Sequence, residues 1–381
     1  MNIEDYCNQE LEFKKSQNGF RFLKEINSKI NNDFSVGTNK IINFCSNDYL
    51  GFSIHPAVVK KSQEYLESYG SGSGASPLVC GHIEAHRTLE SKISRWKDRV
   101  ATMLFSSGYA ANVGVLSCLM NKGDLILGDK KNHASLIDGC KLSMADFRSY
   151  HHSDMASLRN LLDKKRRNYK NALIVSDAVF SMDGDLANLT ELCELADEYD
   201  CWVLVDEAHA TGVIGENGVG LVDHLKLNDR VDLVMGTLSK ALGAQGGYIT
   251  CSEIVKSFLI NKCRSYIYST SLSPAVCGAA IAAIDLVSND EGHIKKLQNN
   301  CLLFSKSSGL KSQSSIFPYI IGDAKETLKA EEALAEKGFF VQSIRPPTVA
   351  LGTSRLRITI RANHSQENIQ SLGSLINTMR N

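Results

Sequence analysis

No stretch of this sequence approaches the ~18 consecutive apolar residues that a membrane-spanning helix requires. Residues 1–15 are polar and include acids, so the pattern of a secretory signal is missing as well. Basic and acidic residues are balanced at 42 each, and the zero net charge gives no attraction to nucleic acid or to an anionic membrane surface. With a hydrophobic content of 43%, the composition is that of an ordinary globular protein.

The sequence also lacks the cysteine spacing of a disulfide framework. The eleven cysteines are scattered from Cys7 to Cys301, and no two of them form a C-x-x-C pair. An odd, unclustered set in a long chain is typical of reduced thiols in a cytosolic protein rather than of disulfides or a zinc site. We therefore predict free thiols, a cytoplasmic location and no metal centre.

The 381 residues exceed the ~100–200 of one ordinary domain. Apolar strand candidates alternate with helical patterns, and strands that are apolar on both faces favour a mainly parallel α/β sheet covered by helices. We predict an N-terminal arm and link over residues 1–50 (helical over 1–35), a large domain over 51–288 and a small α+β domain over 289–381. The strands predicted for the large domain are 101–105, 125–128, 172–176, 202–206, 233–236 and 247–250.

One lysine stands in a glycine-rich segment between two of these strands. An apolar strand ends at Gly236, Thr237 and Ser239 supply hydroxyls, and Lys240 precedes a run rich in glycine. Small residues let the backbone approach a ligand closely, and hydroxyls can donate to a phosphate. A lysine placed there can form an imine with an aldehyde cofactor. A surface loop with a solvated lysine is the alternative interpretation.

A carboxylate ends another buried strand. The four residues 202–205 are apolar and lead to Asp206, and His209 follows three residues later. An unpaired carboxylate is costly there, and a protonated pyridine nitrogen is a fitting partner. Backbone N–H groups or a Walker-B-like magnesium site are alternatives, although no G-x-x-x-x-G-K-[ST] loop occurs in the chain to support a nucleotide site.

Two further segments follow predicted strands. After the strand that ends at Phe105, the small residues up to Gly108 and Tyr109 lead into a helix, an arrangement that offers N–H groups to a phosphate. His133 follows the strand that ends near Asp129, and its ring could stack on a cofactor or be merely structural. Together the segments supply an imine-forming lysine, a pyridinium partner, a stacking imidazole and phosphate donors.

Several collinear blocks resemble the α-oxoamine synthases, which are fold-type I pyridoxal-phosphate (PLP) transferases. The resemblance runs from about Asn43 to Arg361, and its blocks are residues 43–51, 70–74, 206–212 and 236–240. It implies PLP as the cofactor, a homodimer, and an acyltransferase that joins an amino acid to an acyl thioester with loss of carbon dioxide.

The resemblance also implies roles for individual residues. Lys240 would bind the cofactor and shuttle protons, Asp206 would pair with the ring nitrogen, His209 would bond the ring oxygen and His133 would stack on the ring. The other implied residues are Gly108, Tyr109, Ser181, Thr237 and Thr270 for the cofactor and its phosphate, and Arg21, Asn47, His133, Thr348 and Arg357 for the substrates.

Four segments refine the implied reaction. Residues 180–185, 210–212, 268–271 and 345–349 favour the members of the family that join L-alanine to a pimeloyl thioester, carried by coenzyme A or acyl carrier protein, in biotin synthesis. Relatives that use glycine or serine, or that make an aminoketone signal, are the alternatives. A non-catalytic partner subunit is the alternative of a different class, and Lys240, Asp206, His209 and His133 argue against it.

Overall fold

A computed structural model describes residues 1–26, 33–36, 39–289 and 292–380, and the chain divides into two compact units. The small unit comprises residues 1–46, 182–184 and 298–381, and the large unit comprises residues 47–181 and 185–297. Within the described ranges, no helix combines the length and the apolar character needed to cross a membrane. All eleven cysteines are free thiols.

The large unit is built on a sheet of seven strands. Its strands are β3 (Ala101–Phe105), β4 (Leu125–Asp129), β5 (Asp146–Tyr150), β6 (Ala172–Asp177), β7 (Trp202–Asp206), β8 (Leu233–Thr237) and β9 (Gly247–Cys251). Their order is β3-β9-β8-β7-β6-β4-β5, and β9 alone runs antiparallel to both of its neighbours. The predicted α/β class with a mainly parallel sheet is confirmed.

The small unit contains two sheets of three strands. One joins β1 (Asp33–Val36), β2 (Asn39–Asn43) and β11 (Phe339–Phe340), and the other places β13 (Ser354–Thr359) between β10 (Ile316–Gly322) and β12 (Gln342–Ile344). In the second sheet both pairings are antiparallel.

Helices accompany the strands in both units. They are α1 (Ile3–Ser16), α2 (Pro56–Tyr69), α3 (Glu84–Trp96), α4 (Gly108–Leu119), α5 (Ala134–Leu142), α6 (Met155–Lys165), α7 (Leu189–Glu198), α8 (Leu221–His224), α9 (Glu253–Lys262), α10 (Arg264–Ile267), α11 (Pro274–Ser288), α12 (His293–Ser308), α13 (Ala324–Glu336) and α14 (Gln366–Arg380), with 3-10 turns at Phe52–Ile54, Arg166–Asn168 and Glu216–Gly218 and a π turn at Pro77–Gly81.

Alternate residues of the central strands belong to two separate hydrophobic cores. Val203 and Val205 of β7 belong to a cluster with residues of α6 and α7, whereas Leu204 belongs to a cluster with residues of α4, α5 and α9. Because successive side chains of a strand point to opposite faces, both faces of the sheet are buried. The sheet is therefore a rigid support for side chains at its edge.

The prediction of a helical arm over residues 1–35 is wrong in part. The helix α1 ends at Ser16, and residues 33–36 form β1, which pairs with β2. Residues 27–32 lie outside the described residues. None of the residues of α1 is buried, and its apolar residues Leu11 and Phe13 are exposed.

A histidine ties the end of β4 to the segment that follows residue 184. His152 Nδ1 lies 3.0 Å from Asp129 Oδ1, and its Nε2 lies 2.8 Å from Asp185 Oδ2. Burial disfavours the charged imidazolium, but the hydrogen bonds to the two carboxylates outweigh it and raise the pKa of His152 to about 9.

We expect His152→Gln to destabilise the protein in a pH-dependent way. Because the folded pKa lies above the unfolded value of about 6.5, the stabilisation is fully present below about pH 6.5 and is lost as the pH rises through about 9. Thermal unfolding should therefore separate wild type from variant most at acidic pH. His151→Gln, at an exposed neighbour, is the control. A difference that grows toward alkaline pH would contradict the charge assignment.

Candidate active site

Two carboxylates lie side by side at the carboxyl edge of the sheet. Asp206 ends β7 and Asp177 ends β6, and the two residues are direct partners in the parallel ladder. Both are buried. Asn112 Nδ2, on α4, donates to Asp206 Oδ2 at 2.7 Å, and the Ala208 backbone N–H donates to Asp206 Oδ1 at 2.8 Å. The structure therefore places Asp206 at the end of a buried strand, as predicted.

The predicted lysine and histidine are in contact. Lys240 lies in the loop between β8 and β9, and its Nζ is 2.8 Å from His209 Nε2. The other ring nitrogen of His209, Nδ1, is 2.5 Å from the hydroxyl of the buried Tyr49. The Tyr49 hydroxyl is in turn 3.4 Å from Asn47 Oδ1. A chain of polar contacts therefore joins Lys240 to the predicted Asn47.

His133 is connected to Asp206 through two side chains. His133 Nδ1 lies 2.7 Å from Ser135 Oγ, and Ser135 Oγ accepts a hydrogen bond from Asn112 Nδ2 at 2.9 Å. The His133 backbone N–H donates to Asp177 Oδ2 at 2.6 Å. The first turn of α5 and both strand-end carboxylates are thereby fixed relative to one another.

The start of α4 approaches the backbone of β9 closely. A Cβ atom at Gly247 would lie 2.5 Å from Gly108 N, so only glycine permits this packing. Ser107 caps the helix by accepting the Ala110 N–H at 3.0 Å. Thr237 Oγ1 donates to the Gly246 carbonyl oxygen at 2.9 Å. The helix N-terminus and the hydroxyl-bearing loop thus meet at one edge, an arrangement suited to a phosphate.

Three other predicted residues of the large unit lie outside the contacts described above. The exposed Tyr109 follows Gly108 in α4, and its hydroxyl donates to Asp138. Ser181 is half-buried and immediately precedes residues 182–184 of the small unit. Thr270 lines a small cavity together with Ser106.

The remaining predicted residues belong to the small unit. Arg21 Nη2 donates to Thr348 Oγ1 at 2.8 Å, and both residues line a cavity of about 700 Å³. Lys24 and Arg345 line the same cavity. Arg357 is a buried residue of β13, and its Nη1 donates to Thr359 Oγ1 at 2.9 Å. The pairing of Arg21 with Thr348 brings together two residues that are far apart in sequence.

The polar groups at the sheet edge fit PLP. Among the described residues, no lysine or arginine forms an ion pair with Asp206 or Asp177, and Asn112 Oδ1 is buried without a hydrogen-bond partner. A cationic ring that carries an N–H group would supply a positive charge to the carboxylates and a hydrogen-bond donor to the site. No group of three or more histidines, cysteines or acids within the described ranges could hold a metal ion.

Three residues of this site escaped prediction. Asp177 carries the same signal as Asp206, an acid at the end of an apolar strand, but the predicted strand stopped one residue short at 176. Tyr49 lies inside a block assigned to the family, where only Asn47 was given a role. Asn112 has no signal in the sequence, because its function depends on the packing of α4 against β7.

Comparison with known proteins agrees with this geometry. The model of the aminotransferase class I and II family matches residues 39–376. The chain belongs to this family. Among curated family members, 8-amino-7-oxononanoate synthases from Geotalea daltonii and Treponema denticola are 42% and 41% identical to it, over 97% of this chain and 96% and 95% of theirs. The resemblance to the α-oxoamine synthases is confirmed.

Solved structures of family members agree with the fold. A serine palmitoyltransferase variant from S. paucimobilis, solved with a bound PLP–myriocin aldimine, is 27% identical with a TM-score of 0.91, covering 98% of this chain and 96% of that one. An 8-amino-7-oxononanoate synthase from Francisella tularensis is 28% identical with a TM-score of 0.76, covering 89% and 98%. PLP is the cofactor of this family member, as predicted.

Proposed function

We propose that the chain condenses L-alanine with a pimeloyl thioester, carried by coenzyme A or acyl carrier protein, to give 8-amino-7-oxononanoate, carbon dioxide and the free thiol. It would act in biotin biosynthesis as a cytoplasmic homodimer. The observation that carries the proposal is the contact of Lys240 with His209 beside the buried Asp206, in a chain 42% identical to a synthase of that name.

PLP supplies, when bound, an electron sink for the bonds at the amino acid Cα. Lys240, whose Nζ is positioned by His209, would hold the cofactor and would remove and return the Cα proton. Asp206, held by Asn112, would keep the ring nitrogen protonated. His209 would bond the ring oxygen and His133 would stack on the ring. Gly108, Tyr109, Ser181 and Thr237 would bind the cofactor and its phosphate, and Thr270 would reach the phosphate of the partner subunit's cofactor.

The substrates use a second set of residues. Arg357 binds the carboxylate of the amino acid, for which a planar guanidinium offers two parallel donors. Asn47 lies at the end of the polar chain that starts from Lys240 and contacts the amino acid. Arg21 and Thr348 contact the acyl substrate, and their hydrogen bond at one cavity supports a shared role.

The domain boundaries are also a proposal. We assign PLP binding to residues 51–288 and the small domain to residues 289–381, with residues 1–50 as arm and link. The compact units of the chain, whose large unit spans residues 47–181 and 185–297, support this division.

One alternative has a specific observation in its favour. A serine palmitoyltransferase matches the fold with a TM-score of 0.91, so serine and a palmitoyl thioester are the alternative substrates. The same experiment separates the two: carbon dioxide release by the purified enzyme is measured with pimeloyl-CoA and L-alanine, glycine or L-serine, and again with palmitoyl-CoA. Turnover with alanine and pimeloyl-CoA alone supports our proposal, and turnover only with serine and palmitoyl-CoA overturns it.

Arg357→Lys should weaken amino-acid binding much more than cofactor binding. A lysine retains the charge but loses the bidentate geometry, so we expect the KM for the amino acid to rise about tenfold or more. The PLP dissociation constant should stay unchanged. Arg159→Lys, at an exposed ion pair with Glu198, is the matched control. Equal losses in both parameters would remove Arg357 from the carboxylate site.

A further inference from the structure

The proposed function uses only one of the two carboxylates at the sheet edge. Asp177 and Asp206 are direct partners in a parallel ladder, where opposite residues project to the same face. Their exposed fractions are only 3% and 2%. The Ala178 backbone N–H donates to the Asp206 carbonyl oxygen at 2.8 Å, which fixes the two strand ends together. The second carboxylate is therefore built into the site.

The surroundings of Asp177 hold it in place. Its carboxylate accepts the His133 backbone N–H at 2.6 Å, and its own backbone N–H donates to Asn132 Oδ1 at 3.1 Å. Asn132 Nδ2 donates to the Val175 carbonyl oxygen at 2.8 Å. These contacts link β6 to the residue that we assign to stacking on the cofactor ring.

The charged groups around Asp177 are mostly of its own sign. Asp206 on β7 and Asp129 at the end of β4 oppose its ionisation, and Lys240 in the β8–β9 loop favours it. The phenol of Tyr150, at the end of β5, also faces this group. Burial first, and then the Asp206 carboxylate, raise the pKa of Asp177 well above its ordinary value.

We propose that Asp177 is a second, positioning carboxylate of the cofactor site, which carries a proton in the cofactor-free protein and releases it when PLP is bound. The O–H bond of Asp177 breaks, its electron pair stays on the carboxylate and the proton passes to solvent. Two buried carboxylates on adjacent strand ends resist ionising together, and the positive charge of a bound pyridinium would add to that of Lys240 in favouring the ionised pair. The inference rests on the cofactor and not on the proposed substrates.

Asp177→Asn tests this directly, because asparagine still accepts the His133 N–H but cannot ionise. Protons released on PLP binding to the cofactor-free full chain are counted by calorimetry in two buffers of different ionisation enthalpy near pH 7. Wild type should release about one proton more than the variant, and PLP should bind the variant about tenfold more weakly. Asp200→Asn, at a fully exposed acid, should match wild type. Equal proton counts for wild type and Asp177→Asn overturn the proposal.

Unfolding of the cofactor-free protein gives a second test that does not require the variant to bind PLP. Because the pKa of Asp177 is higher in the folded protein than its unfolded value of about 3.9, wild type loses stability as the pH rises between the two values. Asp177→Asn should therefore unfold at a higher temperature than wild type, by a margin that grows as the pH rises above about 3.9 and reaches ~2 °C or more. Parallel curves overturn the proposal. If the enzyme does not condense alanine, both measurements still test the proposal, because neither of them uses the substrates.

Discussion

Lys240→Ala is expected to lower the rate of condensation by about 10³-fold or more. The substitution removes the amine that we propose as the covalent attachment point of the cofactor and as the base at the amino acid Cα. In the structure this amine lies 2.8 Å from His209 Nε2, at the start of the polar chain that reaches Asn47. Carbon dioxide release measures the rate, and gel filtration measures retention of the cofactor, which the variant should lose.

Two comparisons make this result specific. Lys122→Ala, at an exposed lysine in the turn before β4, should leave rate and cofactor retention unchanged. A small amine added to the solution should restore part of the rate in Lys240→Ala and should not affect the control. A Lys240→Ala enzyme that keeps more than about a tenth of the wild-type rate would contradict the assigned role.

Lys97→Met is expected to lower the free energy of unfolding by about 3–5 kcal/mol. Lys97 Nζ lies 2.7 Å from Glu207 Oε2 and 3.1 Å from Thr211 Oγ1, and it also donates to the Val219 carbonyl oxygen. Burial opposes the charge of Lys97, but Glu207 and Tyr248 together outweigh it and raise the pKa of Lys97. Removing the lysine leaves a buried carboxylate without its cation. Chemical denaturation of the cofactor-free protein measures the loss.

The double variant Lys97→Met/Glu207→Gln tests whether the charge is the cause. Glutamine still accepts the Val222 N–H, which Glu207 Oε1 accepts at 2.7 Å, but it carries no charge. We expect the double variant to recover most of the stability. Arg159→Met, which breaks an exposed ion pair with Glu198, should have little effect. An equal loss in the single and double variants would exclude the unpaired charge as the cause.

The sequence predicted the buried strands well and the edge of the sheet poorly. The central strands are continuous apolar runs, and their predicted limits differ from the observed ones by a residue at most. β5 (Asp146–Tyr150) was missed because it is an edge strand in which Arg148 and Ser149 are exposed, so it has no apolar run. The reversed direction of β9 depends on its pairing with β3 and β8, which no local pattern encodes.

In the candidate site, too, some residues could be predicted from the local sequence and others could not. Lys240, Asp206 and His209 could be predicted because each stands in a loop or strand end with its own local signal. Asn112 could not, because it lies in the middle of α4 and gains its role only when that helix packs on β7. The predicted roles of all the site residues depend on bound ligands, and that of Thr270 also depends on a second subunit, so they stay predictions.

The antiparallel course of β9 has a consequence for the order of folding. β8 and β9 form a hairpin whose loop carries Lys240, so this pairing is local and closes a short segment of chain. The pairing of β9 with β3 joins residues far apart in sequence and costs more loop-closure entropy. We therefore expect the lysine loop to form early and the end of β3, with the helix N-terminus that follows it, to join late. A refolding chain would therefore form the loop of Lys240 before it forms the helix N-terminus that we propose as the phosphate site.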